Sequence, residues 1–190
     1  MKATLSQLVP AGILALAALA VLLPSSQDNP PASDVARGKY LVIGGGCGDC
    51  HTPMKMGPAG PESDMSRVMS GHPQALVMPP APALPRGPWM AVVSATFTAW
   101  SGPWGTSFTA NLTPDRETGL GAWKAKTFVD TIRSGRIMAK GRELLVPMPV
   151  AAMQNLTDAD LESIFAYLQT LPVVVNRVPE PVPPPGMPGH

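Results

Sequence analysis

The sequence is short of the residue types that build metal clusters, aromatic cores and nucleic-acid surfaces. Its 190 residues include two cysteines and three histidines, so a zinc site with four ligands would have to recruit carboxylates or distant histidines. Aromatic residues make up 5% of the chain and prolines number 24, a composition that favours short helices and long, proline-stiffened loops. The formal net charge of +1 argues against a nucleic-acid partner.

Uninterrupted apolar stretches are also scarce, and the clearest lies at the start of the chain. Lys2 precedes a run without charge from Pro10 to Leu23, and Ala18-Leu19-Ala20 offers a small-x-small cleavage pattern. The run is shorter than the roughly 20 residues that span a bilayer. We therefore predict an export signal in residues 1–26, cleaved in preference to retained as an anchor, and a linker at 27–32.

The most specific chemical motif in the chain is Cys47-Gly48-Asp49-Cys50-His51. Two cysteines separated by two residues and followed directly by histidine are typical of c-type haem attachment. Each thiol can add across one haem vinyl group to form a thioether, and the adjacent imidazole can then bind the iron. We predict one covalently bound haem c, held by Cys47 and Cys50, with His51 as an axial ligand. Such attachment takes place outside the bacterial cytoplasm, in agreement with an export signal.

Three other interpretations of this motif are a local disulfide, half of a zinc site and a chance match. The zinc interpretation needs further ligands, and neither His72 nor His190 stands at a finger-like spacing from the cysteines. A thioredoxin-like redox pair should lie where a strand meets a helix in a βαβ unit, and the sequence shows no such pattern. We favour the haem interpretation because it matches the complete attachment pattern.

A haem that carries electrons needs a second axial ligand, and Met148 is the preferred candidate. Pro147 and Pro149 flank it and stiffen a loop that cannot form a continuous helix. Such a loop suits a thioether, which binds iron weakly and must be held in place. Methionine paired with histidine raises the haem potential relative to more basic ligand pairs. Ordinary packing of Met148 is the alternative, and the competing ligands are Met138, Met153 and His72.

The first predicted helix leads into the haem motif. Ser33 or Asp34 would cap it, and the glycines at 44–46 would end it and let the backbone turn. Gly38 lies inside this helix, where a glycine costs up to about 1 kcal/mol relative to alanine. A close approach to another helix is the reason that we expect for it.

Two further helices are predicted after position 120. The first has apolar residues on one side, including Trp123 and Ile132, and closes at Ser134-Gly135. The second is capped by Thr157, carries acidic residues in its first turn and repeats apolar residues at helical spacing. With the first helix and the haem, they predict a mainly α-helical domain over residues 33–175.

Two segments fall outside this helical pattern. Residues 52–110 form a long Pro/Gly-rich insertion, and Val92 to Asn111 predicts a short β-hairpin because two similar strand-like stretches flank a turn. Residues 176–190 are rich in proline and predict an extended, exposed tail.

Several of these motifs together resemble a known family. Cys47–His51, the proline-flanked Met148 and helices on either side resemble a class I c-type cytochrome. The stretch Asn111–Asp115, followed by Thr118–Gly121 and Trp123, is similar to the cytochrome c subunits of bacterial membrane-bound alcohol and sugar dehydrogenases. The resemblance implies a helical cytochrome c-like domain around one haem, with His51 and Met148 as axial ligands. Those subunits commonly carry three haem motifs, whereas this chain carries one.

The expected function is single-electron transfer in the bacterial periplasm, without enzymatic activity. The donor would be a dehydrogenase or a quinol-oxidising complex, and the acceptor an oxidase. One alternative is a haem subunit fixed in a larger membrane-bound dehydrogenase, tethered to the inner membrane through the N-terminal apolar segment or held by the proline-rich tail. Another is a haem enzyme or sensor with an exchangeable sixth ligand, for which His72 is the internal distal candidate.

Overall fold

The computed structural model describes residues 32–85 and 87–184. The predicted export signal, the linker up to residue 31 and the tail from 185 onwards lie outside this range. Within the range, no helix is both long enough and apolar enough to cross a membrane.

Five α-helices and five short strands make up the regular structure of the described residues. The helices are α1 (Ala32–Gly44), α2 (Cys47–His51), α3 (Ala125–Ser134), α4 (Val150–Met153) and α5 (Asp158–Leu168). The strands are β1 (Met54–Gly57), β2 (Gly60–Ser63), β3 (Val92–Val93), β4 (Ala99–Gly102) and β5 (Gly105–Phe108). Single 3-10 turns lie at Met65–Arg67 and Ile137–Ala139.

Helices α1 and α5 pack against each other at Gly38. A Cβ atom on this glycine would overlap the backbone carbonyl of Ser163 and approach the Cβ atom of Tyr167 to 2.9 Å. The expected close approach of two helices is therefore confirmed, and the absence of a side chain at Gly38 is what permits it.

The core lies where α1, α3 and α5 meet. Phe128 of α3 and Phe165 of α5 are in ring contact, with centroids 5.8 Å apart. Apolar residues at helical spacing on α5 supply much of this core, as their periodicity predicts. The buried apolar cluster consists of Val42, Met69, Leu120, Phe128, Val129, Ile132, Leu161, Ile164, Phe165 and Leu168.

The helix ends follow local sequence rules with one difference. Thr157 caps α5, its hydroxyl accepting a hydrogen bond from the Asp160 amide at 3.1 Å, and α3 ends at Gly135 in the left-handed conformation (φ 66°). Both predictions are confirmed. The predicted cap at Ser33 or Asp34 is wrong, because α1 already begins at Ala32. Asp34 lies in the first turn, where a carboxylate also interacts favourably with the helix dipole. The sequence pattern therefore does not distinguish a capping residue from a residue of the first turn.

The insertion carries two small antiparallel sheets. In the second sheet, of order β3-β4-β5, Ala99 pairs with Phe108 and Gly102 with Gly105. These paired strands lie inside the segment expected to form a hairpin but are shorter than the stretches that suggested it. One reason is the positive φ of 58° at Phe97, which interrupts extended backbone before β4. The pairing of β1 with β2 was not predicted.

The segment after residue 175 is extended and exposed at several positions, among them Val182 at 54%, but it is also packed onto the domain. Asn176 is fully buried, and the backbone of Val182 pairs with Thr106 through hydrogen bonds of 2.7 and 2.9 Å. An extended chain keeps the amide and carbonyl groups of its non-proline residues available for pairing. Here those groups find partners on β5 and in the polar network around Asn176.

Candidate haem-binding site

The two cysteines and the histidine of the attachment motif form one short helix, α2. Gly46 precedes it in the left-handed conformation (φ 65°), which a glycine adopts without strain. Residues three apart on a helix lie on the same face, so Cys47 and Cys50 are presented side by side. Both are free and half-buried, and burial raises the pKa of each thiol. The pair therefore has the spacing and the protonated thiols that thioether formation uses.

His51 is oriented by a residue far along the chain. Its Nδ1 atom lies 2.8 Å from the carbonyl oxygen of Ala110, and a carbonyl only accepts, so Nδ1 carries the hydrogen. This tautomer leaves the lone pair on Nε2 available to a metal. Burial lowers the pKa of His51, although the bond to Ala110 opposes that shift. A neutral imidazole held in one orientation is what an iron ligand requires.

Ala110 was not predicted as a site residue, because an alanine side chain carries no group that would indicate a role in binding. It directly precedes Asn111, whose side-chain oxygen accepts hydrogen bonds from the amide and hydroxyl of Thr113 at 3.0 and 2.7 Å. The Asn111 amide nitrogen donates to the carbonyl of Val174 at 2.9 Å. The motif that begins at Asn111 thus fixes the backbone on which the Ala110 carbonyl stands. That adjacency is the signal that could have identified it.

A loop of the insertion is hydrogen-bonded to the end of α2 and to the residue that follows it. The Gly71 amide donates to the His51 carbonyl at 2.8 Å, and the Met69 amide donates to the Thr52 hydroxyl at 3.1 Å. Gly71 has a φ of 74° and lies so close to the backbone of Ala110 that no Cβ atom would fit. The insertion is therefore part of the scaffold that holds His51.

Met148 lies in the loop between the 3-10 turn at Ile137–Ala139 and α4. The side chain is partly buried and packs against the buried apolar cluster, which Cys47 also contacts. Two hydrogen bonds tie this loop to other elements: the Leu144 amide donates to the Gly135 carbonyl at 2.8 Å, and the Ser107 hydroxyl donates to the Val146 carbonyl at 2.5 Å. The methionine therefore faces the core from a loop that is anchored on the glycine that follows α3 and on β5.

The other residues considered as axial ligands differ in their burial and in whether hydrogen bonds already occupy their side chains. Both ring nitrogens of His72 are hydrogen-bonded, Nδ1 with the Thr98 hydroxyl and Nε2 with the Leu76 carbonyl, each at 2.9 Å. His72 is fully buried and would have to give up one of these bonds to reach a metal. Met138 is 54% exposed. Met153, like Met148, packs against the buried cluster.

The donor set fits a haem c better than the other interpretations of the motif. Two free thiols lie on one helical face, next to an imidazole whose Nε2 is open and near a core that also receives a thioether side chain. Among residues 32–85 and 87–184, no three side chains of His, Cys, Asp or Glu are grouped to hold a metal ion. A zinc site built from such ligands therefore finds no support in this part of the chain.

Comparison with known proteins also supports a relation to c-type cytochromes. The cytochrome c subunit of alcohol dehydrogenase (quinone) from Gluconacetobacter polyoxogenes is 32% identical over 157 residues, which cover 80% of this chain and 28% of that subunit. The fructose dehydrogenase cytochrome subunit of Gluconobacter japonicus is 28% identical over 147 residues, or 77% of this chain and 22% of that subunit. The chain is a homologue of cytochrome c subunits of bacterial dehydrogenases.

This cytochrome c homologue is also similar to one of the subunits of nicotinate dehydrogenase from Pseudomonas putida. The two are 27% identical over 163 residues, which cover 86% of the chain but 11% of the Pseudomonas protein. The chain thus spans between about a tenth and just over a quarter of the length of these relatives. No protein-family profile matches it. The resemblance that the motifs suggested is confirmed by these relatives.

Proposed function

We propose that the chain binds one haem c and transfers single electrons. Cys47 and Cys50 would hold the haem through thioether bonds, and His51 Nε2 and the Met148 sulfur would be its axial ligands. The observation that carries the proposal is the hydrogen bond from His51 Nδ1 to the Ala110 carbonyl, at 2.8 Å, beside two free thiols. When bound, the haem supplies an iron centre that takes up and releases one electron.

The residues of the chain set how readily that electron is accepted. A thioether from Met148 raises the reduction potential relative to a second imidazole. The bond to Ala110 makes the His51 imidazole more electron-rich and holds its ring plane. Cys47 and Met148 pack against the buried apolar cluster, and such apolar surroundings of a bound haem would also influence its potential. None of these residues makes or breaks a substrate bond, so the protein would not be an enzyme by itself.

A place as the electron-transfer subunit of a larger dehydrogenase complex is the interpretation that the relatives favour. Five of the relatives are named as cytochrome subunits of fructose, gluconate or alcohol dehydrogenases. We propose that this chain likewise receives electrons from a dehydrogenase partner in the periplasm. Residues 1–26 would direct its export and, if retained, tether it to the inner membrane.

A freely diffusing carrier is the second candidate. It would move between a dehydrogenase or quinol-oxidising complex and a terminal oxidase. Co-purification of the native protein with a large flavin- or quinone-dependent enzyme would select the subunit, and recovery as a monomer free of partners would select the carrier.

The test of the haem proposal is absorption spectroscopy of the oxidised and reduced protein together with its intact mass. We expect the mass of one haem added to the polypeptide, pigment that resists acid acetone, and a sulfur-to-iron charge-transfer band in the oxidised form. Colourless protein, or pigment that acid acetone extracts, would refute covalent attachment. Rapid binding of carbon monoxide to the reduced protein would instead indicate an open or exchangeable sixth position.

A further inference from the structure

The hydroxyl of Ser107 contacts the loop that carries Met148. Its Oγ atom donates to the carbonyl oxygen of Val146 at 2.5 Å, at the short end of the range for such bonds. The carbonyl of Trp100 is the next acceptor, at 3.3 Å. Ser107 is 6% exposed, so water has little access to compete for the hydroxyl. Val146 precedes Met148 by two residues, so this bond holds the loop close to the proposed ligand.

Ser107 is presented by a rigid element. It lies in β5, where it pairs with Trp100 of β4 in the antiparallel register. On the neighbouring residue, the backbone of Thr106 pairs with Val182, so the C-terminal segment covers the edge of the sheet. The pairing of Ser107 with β4 and the bridge from Thr106 to Val182 keep the serine in place, and residues on strands position a site more precisely than residues on loops do.

We propose that Ser107 is a positioning residue for the Met148 ligand. The inference rests on the proposed function, because it assumes a haem whose iron is bound by the Met148 sulfur. A thioether adds little bond strength of its own, so the loop must be held where the sulfur meets the iron. The Ser107 bond supplies that restraint from the insertion, which gives residues 92–108 a role in holding the ligand loop.

The test is competition between Met148 and added imidazole in the oxidised haem protein. Imidazole replaces the sulfur, and loss of the charge-transfer band measures the exchange. In Ser107→Ala we expect half-exchange at roughly one tenth of the imidazole concentration that the wild type needs, as for other groups that orient metal ligands. Ser107→Thr keeps the hydroxyl and should restore exchange to within about twofold of the wild type.

Ser101→Ala is the matched control. Ser101 lies on β4 and accepts a hydrogen bond from the Thr106 hydroxyl at 3.0 Å, so its loss disturbs the same hairpin without touching the Met148 loop. We expect imidazole exchange in this variant at the wild-type concentration. An equal shift in Ser101→Ala and Ser107→Ala would mean that loosening of the hairpin, and not the hydroxyl, is responsible, which would overturn the proposal.

Other outcomes separate this inference from the proposed function. Unchanged exchange in Ser107→Ala overturns the positioning role, while the band of the wild type and its loss in Met148→Ala would still support the ligand. A band that survives in Met148→Ala refutes the ligand itself. If Ser107→Ala does not fold, Ser107→Cys keeps the size of the side chain with a weaker donor. That variant should then show the easier exchange, and wild-type behaviour in it would overturn the role.

Discussion

Gly38 of α1 lies directly against the backbone carbonyl of Ser163 in α5. Both contacting groups belong to the backbone, so neither can move aside by a change of side-chain rotamer when a methyl group is added at Gly38. We predict that Gly38→Ala lowers the free energy of unfolding by about 2 kcal/mol, because the two helices that frame the core must separate to admit the methyl group. Urea unfolding followed by circular dichroism would measure the loss.

Gly44→Ala is the control for this change. Gly44 is the last residue of α1, and no atom lies within 4 Å of a Cβ built on it. Alanine is the better helix residue, so the variant should be neutral or up to about 1 kcal/mol more stable than the wild type. Equal stability of the two variants would contradict the close approach of α1 and α5.

Asn176 ties the C-terminal segment to the loop that packs on α2. Its amide nitrogen donates to the carbonyls of Ser70 and His72 at 2.6 and 2.9 Å, and its side-chain oxygen accepts from Arg67 and Gln74, each at 2.9 Å. We predict that Asn176→Ala destabilises the protein by about 3 kcal/mol, because several of these buried groups lose their partner.

The control is Asn155→Ala, which removes an exposed amide that donates to the Ala151 carbonyl at 2.9 Å. We expect a change within about 0.5 kcal/mol for this variant. The same urea titration measures both substitutions. If removal of Asn176 were as mild as removal of Asn155, the C-terminal segment would not be an integral part of the domain.

Met148→Ala is expected to remove the sulfur-to-iron band of the oxidised protein. The reduction potential should fall by on the order of 0.1 V, part of the roughly 0.8 V range that axial ligands can span. Potentiometric titration followed at the haem absorption would measure it. Met138→Ala, which removes a methionine that is 54% exposed, should leave both the band and the potential unchanged. Loss of the band in Met138→Ala alone would transfer the ligand to that residue.

Because His72 is buried, we predict that the stability of the protein depends on pH. Burial lowers the pKa of its imidazole, although the Leu76 carbonyl that accepts from Nε2 opposes the shift. As the pH falls below about 6.5, the ordinary pKa of histidine, the unfolded chain takes up a proton that the folded protein does not bind. The free energy of unfolding should therefore decrease on acidification, until the pH reaches the lowered pKa of the folded state.

The test is to measure the free energy of unfolding of the haem-loaded protein between about pH 5.5 and 7.5, a range that brackets the ordinary pKa of histidine. The His72→Gln variant is measured in the same way for comparison. The variant should be less stable throughout because it loses ring packing on Phe108, whose centroid lies 4.8 Å from that of the imidazole. Its stability should nevertheless depend less on pH than that of the wild type. Parallel pH curves for the two proteins would show that His72 does not titrate on unfolding.

The chemistry of the site could be predicted from the sequence because it depends on local spacing. Cys47, Cys50 and His51 are neighbours in the chain, and a helical turn presents the two thiols together whatever surrounds them. The same holds for the Thr157 cap and the Gly135 end of α3, which involve hydrogen bonds within a few residues. The packing of the C-terminal segment escaped prediction because its partners lie far along the chain, as Thr106 does for Val182.

The sequence by itself therefore determined which residues can hold a cofactor, where α1 and α3 end and where α5 begins. Only the tertiary structure decided which backbone carbonyl orients His51, which groups hold the Met148 loop, and that Asn176 is buried. The contacts of His51, Ser107 and Asn176 join residues tens of positions apart, and no periodicity along the chain encodes which carbonyl a side chain will meet. The three-dimensional packing of the insertion and the C-terminal segment supplies that information.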